Sequence, residues 1–168
     1  IRETGRVNAE LFSKMAVEET GMGRVKDKIA KNLLAANNTP GLEDLKTESY
    51  SGDDGLTVVE LSPYGVIGSI TPTTNPTETI ICNSIGMIAA GNSVVFSPHP
   101  TAKDTSLKAV ELINEAIINA GGPENLITSI SDPSIEQAEI LMKHKKIKLL
   151  VATGGPGVVK AALSSGKK

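Results

Sequence analysis

Tryptophan is absent, phenylalanine and tyrosine occur twice each, and cysteine occurs once. A single cysteine excludes an internal disulfide framework and fits a reducing cytosol. No apolar run approaches the ~20 residues that span a bilayer, and no basic-then-apolar signal peptide opens the chain, so no membrane partner is expected. Charge lacks bias as well. With 17 basic and 19 acidic residues the net charge is −2, which gives no basic field for nucleic acid and no acidic block of a disordered tail. Cys and His do not occur at metal-ligand spacing, and neither a P-loop nor a G-x-S-x-G elbow is present.

What remains is an ordinary globular composition. The 168 residues are 39% hydrophobic, or about 48% with the 16 glycines added, enough for one domain with a core of useful size. The chain opens on Ile1 in charged, helix-like sequence and stops at Lys167-Lys168 just after a predicted helix. Together with the scarce aromatics, this reads as a piece of a longer polypeptide.

Helical spacing of Leu11, Phe12, Met15 and Ala16 predicts a helix over 8–20 that ends at Thr20-Gly21. Val25, Ile29, Leu33 and Ala36 predict a second over 24–36, stopped by Asn37-Asn38-Thr39-Pro40. Residues 41–55 are polar, with a turn signal at Asp53-Asp54-Gly55, and 57–61 alternate as a strand. From Val66 a rhythm sets in: strands at 66–71, 93–97, 126–131 and 147–152, each followed by a helix, at 76–90, 102–120, 133–144 and 156–164. Serial strand–helix units imply right-handed crossovers, and short, nearly all-apolar strands are those of a sheet covered on both faces. The fold class expected is therefore α/β: a doubly wound, Rossmann-like parallel sheet with N-terminal helices and an extra strand. The division expected is 1–62 for the helices and that strand, and 63–168 for an incomplete cofactor-binding domain. Asn75-Pro76 with Glu78, and Asp132-Pro133, carry the capping signatures of helix starts.

Candidate chemistry gathers at the strand ends. Pro72-Thr73-Thr74-Asn75 stands where a G-x-G-x-x-G fingerprint would follow the first of these strands. Thr153-Gly154-Gly155-Pro156-Gly157 follows the fourth strand and opens a helix; it suits either a phosphate cradle or a plain tight turn. Asn75 suits either an N-cap or an amide donor to a developing oxyanion. Cys82, inside an apolar helix with no cationic or His neighbour in sequence, reads as a buried structural cysteine. His99 reads as a surface loop residue that could line the same cleft, and His144 as a helix end among lysines.

Taken in order, Glu18 to Gly23, Pro63 to Gly68, Thr71 to Gly86, Ala90 to Pro100 and Leu150 to Ser165 resemble the aldehyde dehydrogenase superfamily over nearly the whole chain. The branch they are most similar to is the CoA-acylating one of ethanolamine and propanediol utilisation, related to the aldehyde domain of bifunctional aldehyde–alcohol dehydrogenases. The resemblance implies a reaction of aldehyde, CoA and NAD to acyl-CoA and NADH, through a cysteine thiohemiacetal and thioester. It implies a homo-oligomer when intact, in the cytoplasm or inside a bacterial microcompartment, although no targeting leader is visible. Asn75 matches the asparagine that steadies the thiohemiacetal oxyanion. Thr71, Pro72, Thr73 and Thr74 match the loop under the nicotinamide ribose and diphosphate. Ser97, Pro98 and His99 match the adenosine end, and Thr153, Gly154, Gly155 and Val158 the pyrophosphate turn and its helix. No metal is implied.

Departures are informative. Thr74 replaces the aromatic of hydrolytic members, as expected for the acylating branch. Ser97-Pro98-His99-Pro100 lacks the carboxylate that would bind the adenosine ribose, which leaves NADP beside NAD. The family's catalytic cysteine lies beyond Lys168 and Cys82 does not match it, so the segment alone is expected to be inactive. The alternative carried forward is a non-catalytic module that binds nucleotide weakly or only packs against a partner.

Overall fold

Four short strands rich in Val, Ile and Leu pair in parallel in the order β5–β4–β3–β6, where β3 is Val66–Ile70, β4 Ser93–Ser97, β5 Ile127–Ser129 and β6 Ile147–Ala152. The computed structural model describes all 168 residues. Pairing is in register from Val66↔Ser93 to Ile70↔Ser97, so alternate residues of neighbouring strands share a face. Ile67, Ser69, Val94 and Phe96 look toward one helical layer, and Gly68, Ile70, Val95 and Ser97 toward the other. Both layers are present, as uniformly apolar parallel strands require.

The first layer holds α4 (Pro76–Ala89) and α5 (Lys103–Asn119) against the sheet, with α1 (Arg2–Val7), α2 (Ala9–Thr20) and α3 (Val25–Asn38) packed outside them. Phe12 and Ala36 from the outer helices join Ile80, Ile81, Val94, Phe96 and Ile113 in one buried cluster. The outer helices therefore share the core of the sheet layer. The second layer is α6 (Ile135–Lys143) and α7 (Pro156–Leu163), which cover β3, β4 and β6. Close packing there reaches the backbone: a Cβ on Gly68 would stand 2.9 Å from Leu150 Cδ2.

Some local expectations change. The strand at 57–61 is one arm of a separate antiparallel hairpin, β1 (Glu48–Gly52) with β2 (Gly55–Val59), turned at Asp53-Asp54. Both arms are exposed along their whole length, so no burial pattern marks β1 in the sequence. The helix expected from Pro133 begins at Ile135, and its N-cap is Ser134, whose hydroxyl accepts from Gln137 N–H at 3.2 Å. Asp132 instead meets Lys103 at 3.0 Å. Cys82 is exposed rather than buried. Ile80, Ile81 and Ile85 occupy the core side of α4, which leaves position 82 on the opposite face.

Glu18 to Gly23 also gains a reason. Gly21 (φ 66°) ends α2 in the left-handed conformation, and Glu19 reaches across to α5. Its carboxylate accepts from the N–H groups of Asp104 and Thr105, both at 2.8 Å, and so caps a helix 85 residues away in sequence.

Candidate functional site

The parallel ladder continues past the strands. Thr71 N–H donates to Ser97 C=O at 3.1 Å, His99 N–H to Thr71 C=O at 3.1 Å, and Thr153 N–H to Ile70 C=O at 3.0 Å. These bonds place the carboxyl ends of β3, β4 and β6 side by side, the edge at which open α/β sheets hold ligands. A cavity of about 580 Å³ lies there, within the size range of small-molecule sites. Of the residues singled out from sequence, Thr71, Pro72, Ser97, Pro98, His99, Thr153, Gly154, Gly155 and Val158 line it. Thr73 and Thr74 lie outside its lining, and Asn75 opens onto a second cleft with Lys31, Thr79 and Cys82. Thr153 borders both.

Three features of the first cavity suit a phosphate-bearing ligand. Thr71 is 2% exposed and its hydroxyl has no partner in the chain; a buried polar group in that state costs free energy until something bonds it. The N–H groups of Gly157 and Val158, in the first turn of α7, have no backbone acceptor, and they supply the donors and positive dipole end that favour an anion. The two glycines differ in what requires them. A Cβ on Gly154 would meet Val158 Cγ1 at 2.6 Å, so packing alone demands glycine there. Gly155 has an ordinary backbone (φ −71°, ψ 170°), and a Cβ on it would meet nothing within 4 Å. Gly157 on the same wall is equally free, and glycines needed by neither backbone nor neighbours at a cavity are the ones a ligand would require.

His99 joins the loops rather than holding a metal. A backbone N–H can only donate, so the contact from Thr101 N–H (3.3 Å) makes His99 Nδ1 an acceptor and places the neutral ring's proton on Nε2. Thr101 Oγ1 lies 2.8 Å from the same Nδ1 and 2.9 Å from Thr73 Oγ1. With Nδ1 accepting, the hydroxyls run Thr73 to Thr101 to His99, tying the loop after β3 to the loop after β4. No cluster of metal-ligating side chains exists.

Asn75 sits at the N-cap position of α4, but its side chain makes no capping bond, contrary to the simplest expectation from the sequence. Its Oδ1 instead accepts from Lys31 Nζ at 3.0 Å, and its Nδ2 has only a 3.4 Å contact with Thr74 Oγ1. Glu78 likewise does not close a capping box. It is 7% exposed; one oxygen lies 3.3 Å from the Thr77 hydroxyl, which donates at 2.9 Å to Asn32 Oδ1, and the other has no partner.

The wall contributed by α6, with Ser134, Ile135, Ala138, Glu139 and Met142, was not anticipated. Ile135 on that wall is 75% exposed, an apolar side chain that α6 turns away from the core. Glu139 on that wall pairs with Lys143 at 2.9 Å.

With this geometry in hand, comparison with known proteins is specific. The model of the aldehyde dehydrogenase family matches residues 7–168. The acetaldehyde dehydrogenase (acetylating) EutE of Salmonella typhimurium is 54% identical over 162 residues, which are 96% of this chain and 35% of that protein. A propionaldehyde dehydrogenase from the Clostridium phytofermentans fucose utilisation bacterial microcompartment superposes with a TM-score of 0.97 at 57% identity, over 99% of this chain and 38% of that one. Rhodopseudomonas palustris propionaldehyde dehydrogenase, solved with bound propionyl-CoA, gives 0.94 at 59% identity, over 98% of this chain and 38% of that one. The chain thus spans about a third of the length of the acetaldehyde and propanal dehydrogenases it matches.

Proposed function

Since the chain belongs to the aldehyde dehydrogenase family, we propose that it is the part of a CoA-acylating member that holds the nicotinamide dinucleotide. The whole enzyme would convert an aldehyde, CoA and NAD⁺ to an acyl-CoA and NADH. The observation that carries this reading is the convergence of three strand ends on a cavity whose wall includes Gly155, a glycine that neither backbone nor packing requires. In this reading residues 63–168 form the cofactor-binding unit, and 1–62 the helices and hairpin that brace it.

The residues fit the group as follows. The Gly154-Gly155 turn and the N–H groups of Gly157 and Val158 hold the diphosphate, and the unpartnered Thr71 hydroxyl supplies a further bond. Thr73 and Thr74 shape the loop on the nicotinamide side, and Ser97, Pro98 and His99 the adenosine end. When bound, the nicotinamide accepts a hydride. With Pro100 where hydrolytic members carry a carboxylate, the β4 side of the cavity offers a 2′-phosphate no repulsion, so both NAD⁺ and NADP⁺ are candidates. Asn75 donates through Nδ2 to the oxygen that becomes negative as a cysteine thiolate adds to the aldehyde carbonyl. A donor fixed in place before that charge develops lowers the barrier without reorganising. We assign the thiolate to a part of the enzyme outside these residues, because Cys82 does not match the family's cysteine. Once the carbon of that adduct has lost its hydride, a thioester remains, and the CoA thiol would take its acyl group, with the cysteine thiolate leaving and the thiol proton passing to water.

Thermal unfolding of the purified chain with NAD⁺ or NADP⁺ tests the binding role. Ligand at ten times its Kd adds about 1.4 kcal/mol of stability, or about 3–6 °C for a chain of this size. If neither dinucleotide at millimolar concentration shifts the transition, the chain is better described as a packing module. Aldehyde- and CoA-dependent NADH formation by chain of verified 17.5 kDa mass would overturn the external nucleophile.

A further inference from the structure

Two lysines one helical turn apart on α3, Lys28 and Lys31, both end on the loop that carries Asn75. Lys28 is 3% exposed, and its Nζ donates to Thr74 C=O at 2.8 Å. Removing an ammonium from water is costly, and no carboxylate lies in ion-pair range of this one. Its aliphatic stem runs past Gly23 (φ 79°), where a Cβ would stand 3.2 Å from Lys28 Cε. Gly23 is therefore where this side chain passes close to the backbone. Lys31 is exposed, and its Nζ reaches Asn75 Oδ1 at 3.0 Å.

We propose that Lys31 is a positioning residue: it fixes which way the Asn75 carboxamide faces, while Lys28 fixes the backbone beneath it. This rests on the reading of Asn75 as the oxyanion donor. An ammonium has three donors and no acceptor, so only the carbonyl oxygen of a carboxamide can face it. With Oδ1 turned to Lys31, Nδ2 points the other way. Its protons are uncommitted apart from the long contact to Thr74 Oγ1. The capping interaction that would otherwise engage this side chain is absent, and α4 starts with Pro76, which brings no N–H to its first position. A cation on the carbonyl side also polarises the amide, which strengthens Nδ2–H as a donor to a developing negative charge. The amide is thus held ready by a helix outside the sheet, through bonds that span 44 and 46 residues of sequence.

The test uses the full-length enzyme that contains this segment, with Lys31→Met, Lys31→Arg, Asn75→Ala and the double variant Lys31→Met/Asn75→Ala. Asn75→Ala should lower kcat by about a hundredfold, the scale of a lost oxyanion donor. Lys31→Met should lower kcat about tenfold with the dinucleotide KM within twofold, and Lys31→Arg, which still donates, should stay within threefold of the parent. Because Lys31 acts through Asn75, the double variant should equal Asn75→Ala alone. Lys31 is exposed, so a melting temperature within about 2 °C of the parent verifies that the methionine variant is folded. A parental kcat in Lys31→Met beside a crippled Asn75→Ala overturns the proposal and leaves the donor reading intact. A double variant that loses the product of both single losses overturns it too. A parental kcat in Asn75→Ala overturns the donor reading itself, and the role of Lys31 falls with it.

Discussion

Replacing Gly155 with alanine separates two reasons for a glycine to occupy a turn. At φ −71° and ψ 170° the backbone suits any L-residue, and the added Cβ meets no atom within 4 Å. Losing the flexibility of glycine in the unfolded chain stabilises by about 0.4–1 kcal/mol. Alanine is a poorer N-cap than glycine, which costs a similar amount in the other direction. The net change in stability should fall within about 0.5 kcal/mol, a melting shift under about 2 °C. Binding should respond quite differently. If a diphosphate is held there as proposed, a methyl group in its path is an overpacking of about 1–3 kcal/mol, or about fivefold to more than a hundredfold in Kd. Gly154→Ala is the matched control: its Cβ would lie 2.6 Å from Val158 Cγ1, so it should lower stability by about 1–3 kcal/mol before any ligand is added. Calorimetric unfolding of the three proteins, with isothermal titration of NAD⁺ into each, measures both quantities. Unchanged NAD⁺ affinity in Gly155→Ala would refute the ligand reason for that glycine. A loss of stability equal to that of Gly154→Ala would refute the geometry on which the comparison rests.

Other consequences are simpler to check. Glu19→Ala should leave the Asp104 and Thr105 N–H groups without their acceptor and cost about 2 kcal/mol, or about 4–8 °C in melting temperature, while Glu19→Gln recovers roughly half. A difference below about 1 °C between Glu19→Ala and the parent would show that water serves the α5 terminus as well. The Ser134 hydroxyl bond, with the N–H of the first turn, holds the Glu136 carboxyl below its ordinary range, so Ser134→Ala should move its titration upward by NMR. The sign follows from linkage: a carboxylate depressed in the folded state contributes stability above the unfolded pKa and loses it as pH falls through the folded one. For this exposed group the effect belongs to the first turn of α6, and an unmoved titration in the variant would remove the hydroxyl as its cause.

Most of the sheet was legible because its signals are local. The apolar runs of β4 and β6 begin and end where expected, at 93–97 and 147–152. Glycine closes α2, and Asn-Pro opens α4, by rules that operate within a few residues. The first strand, β1, was not legible, since Glu-Ser-Tyr-Ser-Gly pairs only with β2 and buries neither face. The α6 wall of the cavity escaped because nothing near residue 135 in sequence indicates that its helix will lie against β3 and β4. The apolar sequence neighbours of Cys82 point to the core, yet a helix puts consecutive residues on different faces and leaves Cys82 exposed.

The candidate site divides along the same line. Residue types at the ends of β3, β4 and β6 marked the edge where the cavity lies, because a strand–turn–helix with glycine or proline is written in consecutive residues. That Asn75 leaves its cap, that Glu19 caps a distant helix, and that Lys28 and Lys31 grip the Asn75 loop are contacts between residues 44 to 86 positions apart. Short-range pattern determined the parallel strands, the helices between them, their order and the edge at which the cavity opens. Only tertiary packing decided how the polar side chains are shared, because an asparagine, a lysine or a glutamate has several acceptable partners. The one it takes depends on which helix the core brings within hydrogen-bond reach.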